Sequence, residues 1–274
     1  MKQETIVSKH LEDISAILSL HGKSVHDAGL LHGKMGIALF FSHYASFTQE
    51  KKYNQLADEL IKELGSQILR YYSLNNDNEI FSFSYENGLS GVGIGIEYLV
   101  KQGFMKVDLD VFLNNVDILL SKRLTGKTVP VSLMLDIGKY FLIRLSNPQT
   151  AKKDFFTQAL EQVVQLINNY LRINPLQHPQ LFKFMHELSK QYTNPILSSL
   201  VNRQFEFIKP EIMKMEERNI VLYDNMIEEL LNQPGATILC HNIEMGGLLN
   251  GYAGLGLSLL SMLDSRNNSW LNLL

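Results

Sequence analysis

The chain has a single cysteine in 274 residues, Cys240, so no disulfide can form within it, and a lone thiol suits a reducing compartment. It lacks a strong charge of either sign. A net charge of −3 gives no electrostatic reason to expect nucleic acid or an anionic membrane as a partner. No apolar leader is expected, because residues 1–20 carry Lys2, Glu4, Lys9, Glu12 and Asp13. It also lacks a membrane-length apolar run. The most apolar stretch, Gly246 to Leu263, is interrupted by Asn250, Tyr252 and Ser258 and is expected to be a buried helix. The expected location is therefore the cytoplasm, with no membrane span. Phosphate-loop, dinucleotide, serine-nucleophile and zinc-protease motifs are missing. The only tryptophan, Trp270, offers no aromatic platform for a sugar. Alternating strand patterns with hairpin turns are scarce, which disfavours a β-fold.

What is present is a repeat. Gly33-Lys-Met-Gly36-Ile-Ala38, Gly88-Leu-Ser-Gly91-Val-Gly93 and Gly251-Tyr-Ala-Gly254-Leu-Gly256 share one phrase: Gly-x-x-Gly, an aliphatic, a small residue, then a longer apolar run. The copies begin 55 and then 163 residues apart, close to one and three steps of a common period. A period of this length marks stacked supersecondary units. Between the copies lie amphipathic segments with apolar residues at helical spacing. They comprise Tyr53, Leu56, Ala57, Leu60, Ile61, Leu64, Ile68 and Tyr72; Leu109, Phe112, Leu113, Val116, Leu119 and Leu120; and Phe156, Ala159, Leu160, Val163, Val164, Ile167, Tyr170 and Leu171. The glycine segments themselves are apolar nearly all round, and a helix without a polar face is surrounded by protein.

This alternation predicts an all-α fold, an α/α toroid of about five to six helix pairs in one domain over residues 1–274. The first glycine of each phrase is expected to turn the chain into its helix, and the small positions to let neighbouring inner helices approach. Leu133-Met-Leu-Asp136-Ile-Gly138 reads as an eroded copy, and Met185, Leu188, Ile196 and Leu200 as a further inner helix. Loops are expected near Asn75 to Glu79, Thr125 to Val129, Asn174 to Pro179 and Gln233 to Ala236.

The stretches Gly29-Leu-Leu-His32-Gly33, Asn87-Gly88-Leu-Ser-Gly91-Val-Gly93-Ile-Gly95-Ile-Glu97 and Gly247-Leu-Leu-Asn250-Gly251 resemble the lanthionine synthetase C-like family. The resemblance implies an α/α toroid that cyclises precursor peptides, with zinc activating a substrate cysteine for addition to dehydroalanine or dehydrobutyrine. Zinc coordination deprotonates a thiol near neutral pH while leaving an open position for it. The resemblance further implies a Cys-His pair just before the last glycine phrase, together with a second protein cysteine. Here Leu249 and Asn250 stand at the pair, and no second cysteine exists. No cofactor is therefore expected, and the implied partners are a precursor peptide or a peptide-modifying enzyme.

Several residues retain chemical interest. Cys240 and His241 are adjacent soft ligands that would need a third, such as His32 or Asp136, to hold zinc; the alternative is a buried thiol beside a helix-end histidine. His32 stands before Gly33 as the family's zinc histidine stands before its last glycine. It suits either acid–base or substrate-binding work, with His26-Asp27 as a partner, or a structural bond at a helix start. Tyr85-Glu86-Asn87 and Glu97 adjoin the second phrase, and Glu97 must be paired or reach water. Three functions compete: a zinc-free peptide-binding member of the family, an active cyclase with its metal moved to Cys240 and His241, and a carbohydrate-active toroid. The last requires a facing carboxylate pair, which the sequence does not single out.

Overall fold

A computed structural model of the protein describes residues 2–74, 82–126, 128–174, 179–201, 227–228, 230–232, 246–249 and 251–274. Cys240, His241, Asn250 and the expected loops near Asn75 to Glu79 and Gln233 to Ala236 lie outside them. The described chain is all-α, with no β-strand. It forms two compact units: Met1–Met105 with Asn219–Leu274, and Lys106–Arg218.

The first unit holds α1 (Lys2–His21), α2 (Lys34–Thr48), α3 (Lys51–Leu74) and α4 (Leu89–Lys101). The 252–263 segment of the same unit is α10 (Tyr252–Leu263), followed by a 3₁₀ segment, Ser265–Leu273. As the pattern predicts, α2, α4 and α10 start directly after Gly33, Gly88 and Gly251 and are buried almost throughout. Helix α3 buries Tyr53, Ala57, Leu60, Ile61, Leu64 and Ile68 and packs along α2. Helix α1 seats Val7, Leu11, Ile14 and Leu18 inward and packs on α10, which also lies against α2. The expected helix from Gly246 is shorter than its apolar run. Residues 246–249 form a bend, because Gly247 takes φ +87°, a left-handed conformation that suits glycine.

Gly33, Gly88 and Gly251 stand where the chain turns into α2, α4 and α10, and what they supply there is steric room. All three are in extended conformations open to any residue. What they require is space. A methyl group on Gly33 would lie 2.5 Å from Gly29 N, and one on Gly88 or Gly251 would overlap the carbonyl of Ser82 or Gly246. The small positions deeper in the helices admit side chains rather than a neighbouring backbone: Gly95 faces Met35 of α2, and Gly256 faces Phe40.

The second unit contains α5 (Leu109–Phe112), α6 (Asn114–Leu124), α7 (Val131–Ser146), α8 (Lys153–Ile173) and α9 (Pro179–Gln191). The single helix expected through Leu109 and Leu120 is broken at Leu113, whose ψ of 7° departs from helical values, and Phe112 is exposed. The broken copy at Leu133 does form a buried helix, α7, with Gly138 against the Phe184 ring of α9. It starts after Pro130, without a glycine loop. Met185 and Leu188 are buried on α9 as expected, but Ile196 is not: α9 stops, and the Asn194 side chain caps a new helical stretch over 195–201.

Candidate functional site

Helices α2, α4 and α10 have no side-chain cap at their first turn. Their orphan N–H groups are satisfied instead by the chain that leads into them. Lys34 N donates to Asp27 O at 2.9 Å and Met35 N to Ala28 O at 3.1 Å. Leu89 N donates to Ser82 O at 2.9 Å, and Gly254 N to Gly247 O at 3.1 Å. Each incoming loop therefore folds back over its own helix start, which is why no Cβ fits at the glycines.

The three loops meet. Leu31 N and His32 N both donate to Glu86 O, at 3.0 and 3.3 Å, and Leu30 N donates to Tyr85 O at 3.4 Å. On the other side Leu248 N donates to Leu30 O at 3.3 Å and Leu249 N to Leu31 O at 2.9 Å. The 29–32 segment thus lies between 85–87 and 246–249, joined to both by main-chain bonds. Gly36 and Gly91 pack under the same row, since a methyl on Gly36 would lie 2.5 Å from Leu30 O and one on Gly91 would overlap Tyr85 O. The phrase glycines therefore act as one construction: they let three pre-glycine segments pack into a continuous row.

His32, Asn87 and Leu249 contribute to that row and are half-buried. His26 and Asp27 are exposed, and Asp27 contributes its carbonyl to the start of α2. Glu97 is buried on α4, and Asp136 lies half-buried on α7 in the second unit. The row brings the His32 imidazole near the Glu86 main chain, with the Asn87 carboxamide and the leucine side chains beside it. Glu86 itself is exposed, so at most two of the row's side chains are of zinc-ligating type. Zinc sites use three or four thiolate, imidazole or carboxylate ligands, so this donor set does not fit a zinc ion. Among the described residues no three His, Cys, Asp or Glu side chains are grouped to hold a metal.

Deeper in the first unit are polar groups that local sequence patterns do not reveal. His43 Nε2 and the Tyr98 hydroxyl are 2.7 Å apart, and that hydroxyl is 2.7 Å from Ser269 Oγ. Phe104 meets the His43 ring edge-on at 4.8 Å. Burial raises the Tyr98 phenol above its ordinary range, partly opposed by the Ser269 bond, so it stays a hydroxyl at neutral pH. Lys34, next to Gly33, is buried with its ammonium on Glu63 of α3. His43 and Tyr98 are 55 residues apart, the same step as the phrase period, and each sits ten residues after its first glycine. That matched spacing is the one sequence signal that could have paired them.

An α-helical repeat in which glycine loops open buried helices and amphipathic helices cover them is an α/α repeat protein. A family model described as lanthionine synthetase C-like protein matches residues 24–194, and the chain belongs to that family, whose all-α class it shares. Membership supports, in general terms, a protein of the peptide-modification type. No curated protein and no solved structure matches it. Among the described residues no helix is long and apolar enough to cross a membrane.

Proposed function

We propose that this member of the family binds a precursor peptide, or a partner enzyme that modifies one, and does not itself close thioether rings. Leu249 carries the reading. Its amide is bonded to Leu31 O in the pre-glycine row, and its aliphatic side chain stands where the family resemblance implies a zinc cysteine. The resemblance implies a histidine at Asn250, and a carboxamide is a poor replacement for imidazole. What the row retains is suited to holding a peptide, with an imidazole and a carboxamide on a rigid main-chain frame. The reading places the protein in the cytoplasm, where Cys240 stays reduced.

The test uses a synthetic peptide carrying one cysteine and one dehydroalanine. The protein should bind it, measured by fluorescence polarisation, while the peptide's thiol remains fully alkylatable by iodoacetamide. Protein-dependent loss of that thiol to a thioether overturns the proposal. So does one equivalent of zinc in protein purified without chelators that disappears in Cys240→Ala, which would instead assign the metal to Cys240 and His241.

A further inference from the structure

The turn before the second glycine phrase carries two side-chain groups that its own helix does not use. The Tyr85 hydroxyl donates to the main-chain carbonyl of Leu273. Two residues later, Asn87 Oδ1 is buried and has no hydrogen-bond partner among the described residues. Buried acceptors are nearly always matched by a donor, so an unmatched one calls for an explanation. The turn thus offers a donor already closed on a peptide carbonyl, and an acceptor still lacking an N–H. An extended peptide backbone presents both kinds of group along one edge.

Leu273 belongs to the 3₁₀ segment Ser265–Leu273. Nine residues are long for this geometry, whose poorer hydrogen bonds normally limit it to three or four. The segment's strong attachments lie before its last residues. Trp270 is 1% exposed and its indole N–H donates to Ser261 Oγ at 3.1 Å, and Ser269 is bonded to Tyr98. Beyond Trp270, Leu271 and Asn272 are exposed, and Leu273 makes the bond to Tyr85.

We propose that the 84–87 turn is a binding site for an extended peptide, and that residues 271–274 occupy it in cis as a strap which the incoming peptide displaces. The Tyr85 hydroxyl takes a carbonyl of the guest, Asn87 Oδ1 takes an N–H, and Trp270 remains the pivot. The inference rests on the peptide-binding reading above and assigns residues to it.

The test compares the full chain with one ending at Trp270, which keeps the buried indole. The probe is a fluorescein-labelled Gly-Gly-Leu-Asn-Leu-Leu peptide, followed by polarisation. The shortened chain should bind it at least tenfold more tightly than the full chain. Within the shortened chain, Tyr85→Phe and Asn87→Ala should each weaken binding several-fold. Trp270 is the only tryptophan, so an unchanged emission maximum shows that a variant has kept its fold. Equal binding by the two chains, or no loss in Tyr85→Phe, overturns the proposal. If shortening exposes Trp270, the full chain carries the test: unlabelled peptide should saturably increase acrylamide quenching of Trp270, and unchanged quenching overturns the strap. The cysteine–dehydroalanine peptide separates this claim from the one it rests on. Its competition with the probe supports both, whereas probe binding that it leaves undisturbed keeps the strap and overturns the precursor reading alone.

Discussion

The two units organise their buried helices by opposite means. In the first, glycines let main chain pack on main chain, and the loops before α2, α4 and α10 cap the helices with carbonyls. In the second, that phrase has eroded and a buried ion network takes its place. Arg144 is fully buried; it donates to Asp110 Oδ1 at 2.8 Å, to Asp117 at 3.3 and 3.4 Å, and to Leu109 O at 3.3 Å. Tyr140 donates to Asp117 as well, and Lys152 reaches it at 3.2 Å. Asp110 also accepts from Thr150 Oγ1 and from Ala151 N, both at 2.7 Å. Two cations balance two carboxylates, and the guanidinium lies over the Phe156 ring at 4.8 Å. Burial alone would raise the Asp110 carboxyl, but the bonds from Thr150, Ala151 and Arg144 outweigh it and hold it below the usual range. A glycine row is specified by what is missing from each residue, and an ion network by what every member supplies. The two should therefore fail differently.

The largest effect is expected from breaking the network on one side. Arg144→Leu leaves Asp110 and Asp117 facing each other with only Lys152 for charge, and should cost about 3–5 kcal/mol in urea unfolding followed by circular dichroism. A cost below 1 kcal/mol would mean that the network contributes little. Next is the row itself. Gly91→Ala sets a methyl against the Tyr85 carbonyl, a backbone group that cannot turn aside, and should cost about 1–3 kcal/mol or more. Gly138→Ala meets the Phe184 ring, a side chain rather than backbone, and should cost less; the reverse order would refute the contrast between the units. Smaller, and of opposite sign, is Gly65→Ala in α3. Nothing lies within 4 Å of that position, so the substitution should stabilise by about 0.5–1 kcal/mol through helix propensity.

The smallest effect is a pH slope in the first unit. His10 on α1 is buried, with Nδ1 lacking a hydrogen-bond partner among the described residues, and desolvation lowers its pKa below 6.5, against an opposing Asp13. The folded state therefore favours the neutral ring. Below pH 6.5 the unfolded chain binds more protons, so this contribution is complete above that pH and declines as the pH falls toward the folded pKa. Urea midpoints measured between pH 7.5 and 5 should fall less steeply in His10→Gln than in the parent chain.

How much of this could be read in advance follows the same division. The glycine phrases gave the starts of α2, α4 and α10 to the residue, because a repeated local pattern encodes a repeated local structure. Helices α3 and α8 were legible from their apolar spacing. Helix α1 went unexpected even though Val7, Leu11, Ile14 and Leu18 recur at helical intervals, since the charges between them mask the stripe. The break at Leu113 was not legible because its apolar spacing continues unchanged into α6. Near it, Asp110 and Asp117 are bound by groups 34 and 27 residues away, and no local pattern carries such a constraint. The candidate row was only half legible: the sequence singled out His32, Asn87 and Leu249 separately, and only the main-chain bonds through Leu30, Leu31 and Glu86 set them side by side. Which backbone atoms the glycines make room for was not legible, because those atoms belong to segments distant in sequence as well as to the preceding loop.

The bonds from Leu248 and Leu249 to Leu30 and Leu31 also bear on how the protein is made. More than two hundred residues separate the partners, so α2 emerges from the ribosome long before its last neighbours exist. At about 5–20 residues per second, that interval is roughly 10–40 s. Throughout it, the side of this buried helix that α10 finally covers waits without that neighbour.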